Sequence, residues 1–232
     1  MLLISIAVNA QQSKNDKIIP AWKIGFSLDF GKLANDTSSS KENQEQMMMM
    51  NLAKAFSESS DNTPPLVCYV SDNYIRVEQN GLGGGITIAD KRDTVSYMMD
   101  TTEKTVIKFP AAMPNLHTQS DGDSLVIISS DNFKMELIND TTIIAGQLCK
   151  KALFINPEYP QSVITVWYAS ALPRLYWQKY SYLNTIPGCA LSIGTISKGL
   201  NVGIKADNVK KIDVPEQFFL PPADYSLSEG TL

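Results

Sequence analysis

The chain has 232 residues, of which 44% are hydrophobic and 19% are charged, and its formal net charge at pH 7 is −4. This length suits one large β domain or two small domains, and the composition is ordinary for a globular protein that buries a core. The negative charge argues against a general nucleic-acid binder, because phosphate binding needs a concentrated basic surface. Lys150-Lys151 and Lys210-Lys211 are basic runs of only two residues, which are typical of solvent-facing strand positions.

The N-terminus carries a short apolar run, residues 2–8, followed by the small or modest residues that a signal peptidase reads. Cleavage after Ala10 would leave Gln11 as the first residue of the mature chain. The run is too short to span a bilayer and has no basic residues before it, so it predicts the end of a longer signal peptide rather than an anchor, and an N-terminal β-strand is the alternative. We therefore expect a signal peptide at 1–10 and a single β domain at 11–232, in a protein that is exported and not integral to a membrane.

The first strand is predicted in residues 21–30, AWKIGFSLDF, where apolar and polar residues alternate. Such a period of two is typical of a half-buried strand. A polar linker, residues 34–43, follows it and contains Ser40, a candidate helix cap. The apolar face of the predicted strand comprises Trp22, Ile24, Phe26, Leu28 and Phe30.

Four consecutive methionines stand in the next segment, residues 46–52, QMMMMNL. Successive helical residues lie about 100° apart, so four of them cannot share one buried face. The spacing predicts an amphipathic helix with a wide apolar arc, which Pro64-Pro65 would end. Either this helix is buried between a sheet and a loop, or its flexible methionines face an apolar ligand. The residues that would face the ligand are Met47, Met48, Met49, Met50, Leu52 and Phe56.

From residue 66 onwards the chain shows short β-prone runs separated by turns. Hairpins are predicted with turns at 71–73 and 90–93, a further turn at 198–201, and a loop at 110–123. Around ten strands with one strong helix predict a mainly β protein built on a single curved antiparallel sheet. The predicted strands are 66–70, 74–79, 86–90, 94–100, 105–109, 125–130, 133–138, 147–155, 162–169, 189–196 and 202–214.

The run SVITVWYA, residues 162–169, is apolar on both faces. A strand of this kind must be covered on each side by a helix, by another sheet or by a ligand. Trp167 and Tyr168, which alternate along this strand, therefore join the candidate ligand-binding residues.

No motif indicates catalysis, a cofactor or a metal. Gly81–Gly85 lacks the lysine and the following helix of a phosphate-binding loop, so a hairpin loop is favoured. His117, the single histidine, lies in the predicted loop without a nucleophile motif around it. Asp121-Gly122-Asp123 lacks the further oxygen ligands of a calcium loop. Cys68, Cys149 and Cys189 form no CxxC pair, and Cys68 alternates with apolar neighbours as a buried residue would.

A family pattern is visible in residues 167–194, where a Trp-Tyr pair, a Leu-Pro step and a tyrosine-rich spacer precede NTIPGCAL. With TTIIAGQLCKKALF at 141–154, YIRVE at 74–78 and FFLPPADYSL at 218–227, it resembles the Bacteroidetes family named for its GLPGLI motif, over roughly residues 65–228. Asn184 and Thr185 replace the family's first two residues. The resemblance implies an exported envelope protein with the open half-barrel of LolA-like lipoprotein carriers, in which a curved sheet wraps one or more helices around an apolar cavity.

The resemblance brings no catalytic residues with it. Pro187-Gly188 is interpreted as a turn whose glycine permits a positive φ, in a structural hairpin motif that sets sheet curvature. The function expected from the sequence is non-enzymatic binding of an apolar or lipid-like ligand in the periplasm or cell envelope, which lipid co-purifying with the protein would support. The alternative is a structural or protein-interaction component of the envelope with a filled core.

Overall fold

The computed structural model describes residues 17–29, 64–80, 84–93, 95–110, 116–121, 124–197 and 200–229. The predicted methionine helix and the predicted signal peptide lie outside these ranges. Within them, no helix is both long enough and apolar enough to cross a membrane.

The described part is mainly β, and most of its strands belong to one large, curved and unclosed sheet. Twelve strands form this sheet in the order β14-β6-β5-β4-β3-β2-β1-β13-β12-β11-β10-β9, and β7 and β8 form a separate hairpin. Neighbours in the large sheet are antiparallel except for β14 and β6, which are parallel. The strands are β1 (Ile18–Asp29), β2 (Leu66–Val70), β3 (Tyr74–Gln79), β4 (Gly85–Asp90), β5 (Val95–Asp100), β6 (Thr105–Pro110), β7 (Leu116–Asp121), β8 (Ser124–Ser129), β9 (Lys134–Ile144), β10 (Gln147–Asn156), β11 (Tyr159–Ala169), β12 (Cys189–Ser197), β13 (Leu200–Pro215) and β14 (Ser226–Glu229).

Strand β1 lies inside the sheet, between β2 and β13. Its predicted apolar face is buried only in the middle, where Ile24 and Phe26 are fully buried, while Leu28 is 38% exposed. The pairing with β13 shifts register between Gly25 and Phe26, which is the position of a β-bulge. The alternation in the sequence therefore identified the strand and the face that enters the core.

The chain between β11 and β12, residues 170–188, packs across the sheet, and we call it the crossing segment. It has no long helix and contains the 3-10 turns Gln178–Thr185. Trp177, Leu183 and Ile186 from this segment are at most 1% exposed. They belong to the same core cluster as residues of β1, β2, β3, β10, β11 and β12. The space over this part of the sheet is thus filled by side chains of the chain itself.

A second, smaller cluster joins β1 and β3 to the 3-10 turn Glu216–Phe219. The rings of Tyr74 and Phe219 stack with centroids 5.5 Å apart, and the Arg76 guanidinium lies 4.4 Å from the ring centroid of Phe218. This turn leads the chain from β13 to β14, so it positions the C-terminal strand against β6.

The predicted strands and most turns are confirmed, although β9 continues to Ile144 and β14 was not predicted. Three further corrections concern a loop, a turn and a glycine. The predicted loop at 110–123 was wrong in part, because residues 116–121 pair with β8 as strand β7 and place His117 opposite Ile128. The residues there are mostly polar and do not show the alternation typical of a strand, and among the described strands β7 pairs with β8 alone. The predicted turn at 198–201 was too long, because β13 begins at Leu200.

The third correction concerns Gly188, whose φ is not positive. A Cβ placed on Gly188 would lie 2.4 Å from the carbonyl oxygen of Ala169 and 2.8 Å from the Cα of Ser170. The glycine is therefore needed because the end of the crossing segment passes directly against the end of β11, and not because of an unusual backbone conformation.

Candidate functional site

The predicted ligand-binding residues do not meet at one described site. Met47, Met48, Met49, Met50, Leu52 and Phe56 lie outside the described residues. Tyr168 is 3% exposed and belongs to the core, whereas Trp167 is partly buried, with the Lys151 ammonium 5.6 Å from its ring centroid. Both faces of this strand are at least partly covered, as predicted, and the crossing segment shares the core with one of them.

A polar pocket of about 500 Å³ opens where two hairpin turns meet the crossing segment. One turn connects β2 to β3 and the other connects β4 to β5. Six residues line the pocket, and we call this set the polar pocket: Asp72, Lys91, Pro173, Arg174, Tyr176 and Asn184.

The two turns are held together by Lys91. Its backbone N–H donates to the carbonyl of Asn73 at 2.8 Å, and its ammonium donates to the carbonyl of Ser71 at 2.6 Å. Ser71 is buried and itself accepts, through its hydroxyl, a bond from the backbone N–H of Tyr74 at 3.0 Å. These bonds fix the side chain of Lys91 at the inner wall of the polar pocket.

Burial lowers the pKa of Lys91 from its usual 10.5 to about 8. The nearby charges act in both directions: Asp72 favours the charged ammonium, and Arg174 disfavours it. Loss of hydration dominates because the ammonium is bonded to a neutral carbonyl and not to a carboxylate. The charged form of Lys91 in this position therefore lowers the stability of the fold.

Arg174 and Tyr176 face the pocket because their neighbour Leu175 is anchored in the core. Leu175 is fully buried and forms an isolated parallel β-bridge with Cys189. In an extended chain, successive side chains point in opposite directions, so burying Leu175 turns the residues on either side outward. Asn184, at the start of the NTIPG turn, completes the wall from the other end of the crossing segment.

The pairing of the arginines sets Arg174 apart. The sequence has three arginines, and two of them bind carboxylates: Arg76 lies 2.7 Å from Glu78, and Arg92 lies 2.6 Å from Asp90. Among the described residues, neither Arg174 nor Lys91 has a carboxylate oxygen within 4.0 Å. Two cations without ion pairs thus line the same pocket.

The three cysteines are buried free thiols, as predicted for Cys68. Burial raises the pKa of each thiol, so none of them is poised to act as a thiolate nucleophile. In the described part of the chain, no three His, Cys, Asp or Glu residues are grouped in a way that could hold a metal ion. The charged and polar side chains that line the polar pocket can recognise a ligand through charge and hydrogen bonds.

Sequence reasoning did not identify the polar pocket. Asp72 and Lys91 were placed correctly in hairpin turns, and Asn184 in the family motif, but nothing in the sequence brings these three positions together. One usable signal was that the sequence has only three arginines, so each of them could be considered as a candidate binding residue.

Replacing Lys91 with methionine is expected to raise the free energy of unfolding at pH 7, because relief from keeping a partly buried ammonium charged outweighs loss of its bond to the Ser71 carbonyl. In the wild type the lowered pKa of Lys91 makes the free energy of unfolding rise with pH between about 8 and 10.5, by at most about 3 kcal/mol. As the pH falls from 10.5 to 8 this gain is lost. Subtracting the variant's urea-unfolding pH profile from that of the wild type isolates this contribution, since tyrosine and cysteine titrations are common to both. The exposed Lys210→Met is the control. Parallel profiles for wild type and Lys91→Met would contradict the expectation.

No protein-family model matches the chain, and no curated protein matches it. Among solved structures, it is similar to PNGF-II in the C2 and P21 space groups, with TM-scores of 0.49 and 0.50 and 12% identity to each. These alignments cover 91% of this chain but only 31% and 32% of PNGF-II, so the chain spans about a third of that protein's length.

A crystal structure of an uncharacterized conserved protein from Thermus thermophilus is also similar, with a TM-score of 0.40 and 11% identity over 71% of this chain and 82% of that one. At such low identities, the likeness to the P21 structure of PNGF-II supports the fold alone.

Proposed function

We propose that this protein is a non-catalytic binding protein of the cell envelope that holds a small anion in the polar pocket. The observation that carries the proposal is the convergence of Lys91 and Arg174 on one pocket without a carboxylate partner among the described residues. Two nearby cations repel each other, and an anion between them would relieve this repulsion and be bound by charge-assisted hydrogen bonds.

The loss of stability that comes from keeping Lys91 charged supports the same proposal. A buried ammonium without a counter-ion destabilises the fold, and a methionine in its place would be less costly. Natural proteins keep such costly groups most often where function requires them. The lowered pKa of Lys91 also means that binding of an anion at pH 8 would be accompanied by uptake of at most about half a proton per molecule.

The filled core also favours recognition at the surface. Trp177, Leu183 and Ile186 occupy the space between the crossing segment and the sheet. Packing of this kind supports the alternative expected from the sequence, an envelope component that acts through its surface, where the polar pocket opens. Export rests on the predicted signal peptide, and it predicts a mature chain that begins at Gln11, which N-terminal sequencing of the secreted protein would check.

Binding of an apolar ligand by the methionine segment stays a prediction, because the segment lies outside the described residues. Extraction of the purified exported protein followed by mass spectrometry tests it, and protein free of lipid that also fails to bind a fluorescent fatty acid would contradict it.

The anion proposal is tested by titrating isotope-labelled protein with sodium propionate at pH 7 and constant ionic strength. We expect saturable NMR shifts at residues 71–73, 90–92, 173–176 and 184, and loss of saturation in Arg174→Met. Lys210→Met, which removes an exposed cation, serves as the matched control and should behave as the wild type. The proposal would be overturned if propionate caused no saturable shifts at these residues, or if the shifts in Arg174→Met equalled those in the wild type.

A further inference from the structure

We infer that the anion recognised by the polar pocket is a hydroxylated carboxylate, of the kind found in sugar acids. This inference rests on the proposed anion-binding function and names the chemical class of its ligand. It follows from three properties of the pocket: its net charge, the hydrogen-bonding groups beside the cations, and its size.

The charges of the lining favour a ligand with a single negative charge. Lys91 and Arg174 each contribute one positive charge when protonated, and Asp72 contributes one negative charge. The lining therefore has a net charge of about +1 at neutral pH. A dianion such as a phosphate monoester would leave the occupied pocket with a net charge of about −1, and a zwitterion such as a free amino acid would leave it at about +1.

The remaining polar groups call for hydroxyls on the ligand. Asp72 accepts hydrogen bonds when ionised, the Asn184 amide both donates and accepts, and the Tyr176 hydroxyl does the same. A carboxylate bound between Lys91 and Arg174 cannot supply a donor to Asp72, because an ionised carboxylate only accepts. A ligand that satisfies the whole lining therefore carries a carboxylate for Lys91 and Arg174 and hydroxyl donors for Asp72.

The volume leaves room for a ligand of monosaccharide size. About 500 Å³ is far larger than a lone carboxylate occupies and lies within the range of small-molecule sites. Tyr176 and Pro173 add apolar surface against which a sugar ring can lie, since ring faces of carbohydrates present C–H groups.

Three probes separate the parts of this inference when they are titrated under the conditions used for propionate: sodium glucuronate carries both groups, glucose the hydroxyls alone, and propionate the carboxylate alone. We expect glucuronate to bind at least about tenfold more tightly than either of the others. We also expect its affinity to fall as pH rises above 8, because Lys91 loses its proton there.

Asp72→Asn distinguishes recognition of the hydroxyls from recognition of the carboxylate. Asp72 is exposed, so the variant should fold, and we expect it to weaken glucuronate binding while leaving propionate binding equal or stronger. If propionate binds at the pocket but glucuronate binds no more tightly, the inference is overturned while the anion-binding function stands. If neither acid binds, both fail. Glucose binding as tightly as glucuronate would likewise overturn the inference.

Discussion

Gly188→Ala is expected to lower the free energy of unfolding by about 3 kcal/mol, near the upper end of the usual cost of overpacking. The new methyl group would lie 2.4 Å from the carbonyl oxygen of Ala169 and 2.8 Å from its carbonyl carbon. These are backbone atoms at the end of β11, so they cannot move aside as a flexible side chain would. The loss is measured by urea unfolding at pH 7.

The matched control is Gly85→Ala in β4, where the nearest atom to the new methyl group is the Met99 carbonyl oxygen at 3.6 Å. This variant is expected to be neutral, or to gain a few tenths of a kcal/mol from reduced freedom of the unfolded chain. A free energy for Gly188→Ala within about 0.5 kcal/mol of the control would show that the close approach to β11 is not required.

Trp177→Ala is expected to cost about 3–5 kcal/mol of stability, the range seen when a large buried aromatic is removed. Trp177 is 1% exposed and is the largest fully buried side chain of the described core. It fills the space between the crossing segment and the sheet, with the ring of Tyr180 at a centroid distance of 4.6 Å. Urea unfolding at pH 7 measures the loss, and loosening of the crossing segment should also weaken propionate binding at the polar pocket.

Trp177→Phe separates packing from hydrogen bonding at the same position. The indole N–H of Trp177 is buried without a hydrogen-bond partner in the described structure, so phenylalanine removes an unsatisfied donor while keeping an aromatic ring. We expect this variant to lie within about 1.5 kcal/mol of the wild type. A loss as large as that of the alanine variant would contradict the view that Trp177 acts mainly by filling space.

The sequence predicted the strands well because their signal is local. Alternation in β1 and the turn residues at 71–73 and 90–93 each act over a few neighbouring positions. The β7 strand was missed because its polar residues carry no alternation, and its pairing with β8 supplies the order that the sequence does not show. The parallel pairing of β14 with β6 could not be read either, since it joins positions more than 100 residues apart.

The polar pocket could not be predicted for the same reason. Lys91 and Arg174 are ordinary surface residues in the sequence, and only the packing of the crossing segment against two hairpin turns brings them to one opening. Gly188 shows the opposite case, in which the right residue was singled out for the wrong reason. The turn motif drew attention to its backbone angles, whereas the requirement comes from Ala169, a residue on another element.

The central place of β1 in the sheet also governs when the chain can fold. Its two partners are distant in sequence, because β2 begins at Leu66 and β13 at Leu200. A ribosome delivers β1 first, and one of its edges must wait until β13 has emerged. Contacts between residues so far apart in sequence form slowly, because closing the intervening loop costs conformational entropy. The topology thus delays completion of the core until β13 has been synthesised.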